Sequence, residues 1–90
     1  MAIFIDAPNW LGHGRYWSHL ISDTSLEELN EFADRVGVPR GAFDHDHYDI
    51  PEERVADCLA AGAEQRRSRE LVGMLVTAGL RRRKRSRLAQ

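Results

Sequence analysis

A single cysteine, Cys58, stands in 90 residues. That excludes an internal disulfide framework and fits a reducing compartment. Long apolar runs are missing too: nothing approaches the roughly 18–20 residues that a membrane span needs. Met1-Ala2-Ile3-Phe4-Ile5 meets a carboxylate at Asp6, too soon for the apolar region of a signal peptide and without its basic flank. There is no internal repeat, no P-loop, and no serine or cysteine with an evident activating base. These absences point to a cytoplasmic protein with no membrane contact. At this length the chain makes one domain with a modest core, so a homo-oligomer stays open.

The charge is unevenly spread. Arg81, Arg82, Arg83, Lys84, Arg85 and Arg87 fall in the last ten residues with no acid among them, whereas residues 1–80 carry seven basic side chains against fourteen acidic ones. An acidic body with a basic tail is read in two ways. The arginines contact nucleic acid, releasing counterions as they neutralise phosphates, or the tail is a flexible, solubilising end.

Ala2-Ile3-Phe4-Ile5 predicts a buried strand ending at Asp6. Turn signals at Pro8-Asn9 and Gly12-His13-Gly14 make residues 7–24 loop-rich, with a second short strand over Tyr16–Ile21. Asp23-Thr24-Ser25 offers capping oxygens to a helix over about 25–36, whose inward stripe is Leu26, Leu29, Phe32, Ala33 and Val36. Gly37 and Pro39 stop it. After a strand-like segment at 42–50, Pro51 reads as the first residue of a second helix, with Asp49 or Ile50 in its capping region. Residues 63–67 suit an edge strand. Ser68 then reads as the cap of a third helix, which Gly79 ends. This order predicts an α/β domain over residues 1–80, a small, partly parallel sheet with about three packed helices, followed by a basic tail over 81–90.

Several of these strings together resemble a family of short bacterial and phage proteins known as domain of unknown function 4031. They are Ile5-Asp6 with Trp10, Gly14-Arg15, Trp17-Ser18-His19-Leu20, and Ser22 through Leu29. Phe43, Asp46-His47-Tyr48-Asp49, Pro51, Gly62-Ala63 and Ser68-Arg69-Glu70-Leu71 complete the pattern. The resemblance runs over about residues 3–80 and implies a fold without an established activity. Members often carry a histidine where this chain has Asn30, and need not carry one at His45.

The densest polar string is Asp46-His47-Tyr48-Asp49. In an extended chain His45, His47 and Asp49 share one face, and a histidine and an aspartate two residues apart can ligate a divalent metal. His19 and Asp23, ahead of the first helix, are the expected partners. Asp6 is another, at the carboxyl end of a strand where open α/β sheets bind ligands. The alternative is a hydrogen-bonded hub with no ligand. Gly12-His13-Gly14-Arg15 offers backbone N–H groups and a cation to a phosphate, or is only a turn. Trp10 and Trp17 plug a small core or form a stacking platform. Arg69 meets an anion at the third helix or pairs with Glu70.

Two functions follow. One is a binding module for a protein or nucleotide partner, using Asp6, Trp10, Arg15, Trp17, Asp46, Tyr48 and Arg69. The other is a metal-dependent hydrolase or nuclease-like enzyme acting on a phosphate-containing substrate, with His19, Asp23, His47 and Asp49 as its working groups and His47 and Asp49 as metal ligands. The sequence slightly favours the binding module, because no complete catalytic constellation can be assembled from it.

Overall fold

The spine of the fold is one eight-residue strand, β3 (Arg15–Ser22), in a six-stranded sheet. The computed structural model describes residues 2–82. Two strands share one edge of β3. β1 (Ile3–Ile5) pairs antiparallel with its C-terminal half, Ile5 opposite Leu20, and β2 (Trp10–Gly12) pairs with its N-terminal half, Trp10 opposite Trp17. Asp6-Ala7-Pro8-Asn9 separates them, and Pro8 has no N–H to give a ladder. On the other edge lies β5 (His47–Pro51), which sets Asp49 opposite His19. β4 (Phe43–Asp44) pairs with β5, and β6 (Glu64–Gln65) runs parallel beside β1. The expected small, partly parallel sheet with three helices is therefore what the chain forms, with parallel pairing only between β1 and β6 among the described residues.

Three helices follow the strands: α1 (Leu26–Val36), α2 (Val55–Ala60) and α3 (Ser68–Thr77). Ser25 caps α1 by accepting the Glu28 N–H, and Gly37 closes it at φ 85°, a backbone region that costs glycine nothing. Other boundaries differ from expectation. Pro51 ends β5 instead of starting a helix, and a single 3-10 turn (Glu52–Arg54) leads into α2. Asp49 and Ile50 are thus ladder residues and cap nothing. The second strand starts earlier than expected, because His13 and Gly14 form a two-residue hairpin turn with φ of 50° and 77°.

Strand alternation divides the side chains between two faces. Ile3, Ile5, Leu20, Tyr48 and Ile50 join Leu29 and Phe32 of α1 and Cys58 of α2 in the main core. Phe4 and Ile21 point the other way and meet Leu71 and Leu75 of α3 in a smaller cluster. One helix covers only part of this second face. The remainder carries the polar strand residues.

Candidate metal centre

His19 belongs to the α3-facing set of β3, since its neighbour Leu20 is in the main core. Cross-strand register brings Asp49 beside it, and alternation along β5 adds His47 two residues earlier. One nitrogen of each histidine and one Asp49 oxygen lie within 4.8 Å of one another. The imidazoles meet edge to face, centroids 5.1 Å apart. His47 Nε2 stands 3.2 Å from Asp49 Oδ1, close to the edge of about 3.3 Å between two ligand atoms of a tetrahedral zinc. All three side chains are partly exposed, at 28%, 13% and 26% respectively for His19, His47 and Asp49, so a solute can reach them.

Each histidine is held from behind by a buried carboxylate. His19 Nδ1 lies 2.8 Å from Asp6 Oδ2, and the His19 backbone N–H donates to Asp6 Oδ1 at 2.6 Å. The Ser68 hydroxyl donates to Asp6 Oδ2 at 2.6 Å, and Asn9 Nδ2 donates in turn to Ser68. His47 Nδ1 lies 2.8 Å from Asp46 Oδ1. Arg81 donates to both Asp46 oxygens at 2.7 and 2.9 Å. With both Nδ1 atoms engaged, Nε2 is the nitrogen each ring has left, and that of His47 already lies against Asp49 Oδ1. Carboxylate-oriented imidazoles of this kind are the usual setting of metal-bound histidine.

The charges agree with this division of labour. Burial works to raise the pKa of Asp6, but hydrogen bonds from the His19 ring, the His19 N–H and Ser68 outweigh it and hold Asp6 below the ordinary carboxylate value. Asp46 behaves alike, its burial outweighed by Arg81 and His47. The Asp6 hydrogen bond raises His19 above the ordinary histidine value, against the opposing effect of burial.

Other expected residues lie elsewhere. Asp23 sits four residues beyond His19, roughly 13 Å along an extended chain, and accepts from the Ala2 N–H and the Thr24 hydroxyl. Tyr48 points into the main core, fully buried, and donates to Asn30 at 2.7 Å. His45 occupies the β4–β5 turn at φ 58°, its side chain 92% exposed. Asp6 and Asp46, expected as ligand contacts, are nearly buried and lie against the Nδ1 atoms of His19 and His47. Arg15 pairs with Glu53 across an exposed surface. Arg69 is exposed at the start of α3, in an open cleft with Arg66, Arg67 and Asn9. Trp10 and Trp17 stand at the rim, centroids 6.0 Å apart, with Trp10 6.5 Å from His19.

Two residues of the site escape sequence reasoning. Ser68, expected as a cap, is the first residue of α3, and its hydroxyl serves Asp6. Arg81, grouped with the basic tail, is a partner of Asp46. The one available signal was positional: β6 leads straight into α3, and the Arg66 N–H donates to Ile5 O, which carries Ser68 to the end of β1. Arg83, Lys84, Arg85 and Arg87 lie outside the described residues.

A family model described as "Protein of unknown function (DUF4031)" matches residues 3–78. The chain belongs to the DUF4031 family. The match takes in His19, His47, Asp49 and their partners Asp6, Asp46 and Ser68, and stops short of Arg81. No curated protein and no solved structure matches this DUF4031 chain. Asn30, where the family resemblance implies a histidine, is on α1, the main-core side of the sheet, as the acceptor of Tyr48. The departure therefore leaves the three candidate ligands untouched. No helix among the described residues is long and apolar enough to cross a membrane.

Proposed function

We propose that His19, His47 and Asp49 hold one divalent cation, and that the protein uses it to hydrolyse a phosphate ester. The observation that supports this reading is the pairing of three convergent donors with two buried carboxylates on the Nδ1 atoms. A pair of imidazoles and one carboxylate suits zinc, manganese or iron(II) better than calcium or magnesium, which prefer all-oxygen sites. Three protein ligands leave a position for water, and a cation there lowers the pKa of that water towards neutrality. Hydrolysis adds the water oxygen to phosphorus, breaks the ester P–O bond, and leaves the alcohol carrying one of the water's protons.

The binding module, slightly favoured by sequence, loses its advantage through this convergence, because its main support was the lack of an assembled constellation. The test is metal content of the purified, tag-free protein, followed by zinc, manganese and magnesium titrations of the wild type, His47→Ala and Asp23→Ala. We expect one equivalent of zinc or manganese in the wild type and Asp23→Ala, and its loss in His47→Ala. A wild type that binds none, or a His47→Ala protein that keeps it, overturns the metal assignment. A loaded wild type that releases no nitrophenol from nitrophenyl phosphate mono- and diesters overturns the hydrolase assignment.

A further inference from the structure

Of the three donors, Asp49 also lines a groove of about 520 Å³ with Trp10, Trp17 and Phe43, a volume suited to a small-molecule ligand. Trp10 is 39% exposed there, although it is one of the largest apolar side chains in the chain. Its position is built. The ring lies directly over Gly12, where a Cβ would meet Trp10 Cζ3 at 2.3 Å. The Trp17 indole N–H donates to Gly12 O at 2.8 Å, so the strand beneath the ring is tied to the neighbouring tryptophan. An exposed indole supported from below is a surface on which a flat ring stacks.

The charge of the groove restricts what that ring carries. Asp44 and Asp49 both line it, and among its lining residues only His13 can become cationic. Two carboxylates lining the groove disfavour an anion, Arg15 over the Trp17 ring offsets part of that, and a cation on Asp49 and the two histidines would offset the rest. A cation held there would place a phosphate next to His19, whose ring centroid is 6.5 Å from that of Trp10. A pentose spans such a gap between a base and its phosphate.

We infer that the substrate is a nucleoside phosphate unit, its base stacked on Trp10 and its phosphate on the cation held by His19, His47 and Asp49. This rests on the metal assignment above. The unit comes either as a free nucleotide or as one residue of a single strand.

The experiment is calorimetric titration of the manganese-loaded full chain with adenosine 5′-monophosphate, ribose 5-phosphate and a 5′-phosphorylated trinucleotide, in wild type, Trp10→Ala and Trp10→Phe. Stacking of one base is worth about tenfold or more in affinity. We expect adenosine monophosphate to bind at least about tenfold tighter than ribose phosphate. Trp10→Ala should erase the difference while keeping its manganese, and Trp10→Phe should restore part of it. A trinucleotide tighter than the mononucleotide identifies a strand as the source, and equal affinities identify the free nucleotide. Equal binding of the two monophosphates by the loaded wild type overturns the inference, as does a preference that survives in Trp10→Ala. If the wild type takes up no manganese or zinc, the metal assignment fails by itself, and adenosine becomes the probe. Adenosine binding lost in Trp10→Ala keeps the base platform, and no adenosine binding overturns it.

Discussion

The carboxylate of Asp6, 1% exposed, accepts from the ring and the backbone N–H of His19 together, so strand end and imidazole are fixed by a single group. Ser68 is a third donor, which ties α3 to the same point. Replacing Asp6 with alanine strands these donors in a poorly hydrated place, at about 1–3 kcal/mol for each one left unsatisfied. Urea unfolding should show Asp6→Ala destabilised by about 2–4 kcal/mol, while Ser68→Ala loses only about 1 kcal/mol. Equal losses would mean that Asp6 is not the hub.

The same pair sets a pH dependence in metal-free protein. Asp6 lies below its ordinary value of 3.8, so its contribution is present above that pH and fades as pH falls through its folded pKa. His19 lies above its ordinary 6.5, so its contribution is present below that pH and is lost as pH rises through its folded pKa. Asp49 and Arg81 also act on His19, the former raising and the latter lowering its pKa. The stability gap between wild type and His19→Ala should therefore be widest between about 4 and 6.5 and narrow as pH rises through the folded pKa of His19. Urea titrations in chelator from pH 4 to 8 measure it, and a gap that widens toward pH 8 would contradict the assignment. Added zinc should reverse the trend, because a metal competes with the proton for Nε2.

Much of this was legible in the chain. β1, α1 with its Ser25 cap and Gly37 stop, the edge strand β6 and the α/β class all follow from local signals. The pairing of His47 with Asp49 also follows, because their spacing puts them on one face of any strand. Register was not legible. Asp23 and His19 both precede α1 in sequence, yet His19 lies within β3 and Asp23 just beyond its end, and only β5 pairing selects His19. The length of β3 was hidden because Gly12-His13-Gly14 reads equally as a loop or a tight hairpin. Nothing in Arg81-Arg82-Arg83 marks the first of the three as the one that meets Asp46.

Tyr48 gives a test of the division between faces. It stands between His47 and Asp49 in sequence but faces Asn30 and the main core. Tyr48→Phe should cost about 1 kcal/mol for the lost hydrogen bond and leave zinc affinity unchanged. Asn30→His, the substitution that the family resemblance suggests, should also leave zinc stoichiometry at its wild-type value. A second equivalent of zinc in Asn30→His would place a ligand on the wrong side of the sheet and break the assignment of faces.

Arg81 connects the start of the basic run to the second histidine. Its two bonds hold Asp46, and Asp46 holds Nδ1 of His47. Removing the guanidinium leaves a carboxylate that is 5% exposed with the His47 ring as its remaining side-chain partner. Arg81 is itself partly open to solvent, so the loss is smaller than for a fully buried pair, about 1–2 kcal/mol. Zinc should feel it too, since loosening the carboxylate behind a ligating imidazole weakens metal binding by about 10–100-fold. Asp46→Ala should fall in that range, and Arg81→Ala at or below its lower end. Arg81→Lys, which keeps the charge and gives up the two-pronged geometry, should lie between Arg81→Ala and the wild type. Calorimetric zinc titration of the three variants orders them. If Arg81→Ala binds zinc as the wild type does while Asp46→Ala does not, Asp46 positions His47 without help, and Arg81 serves stability alone.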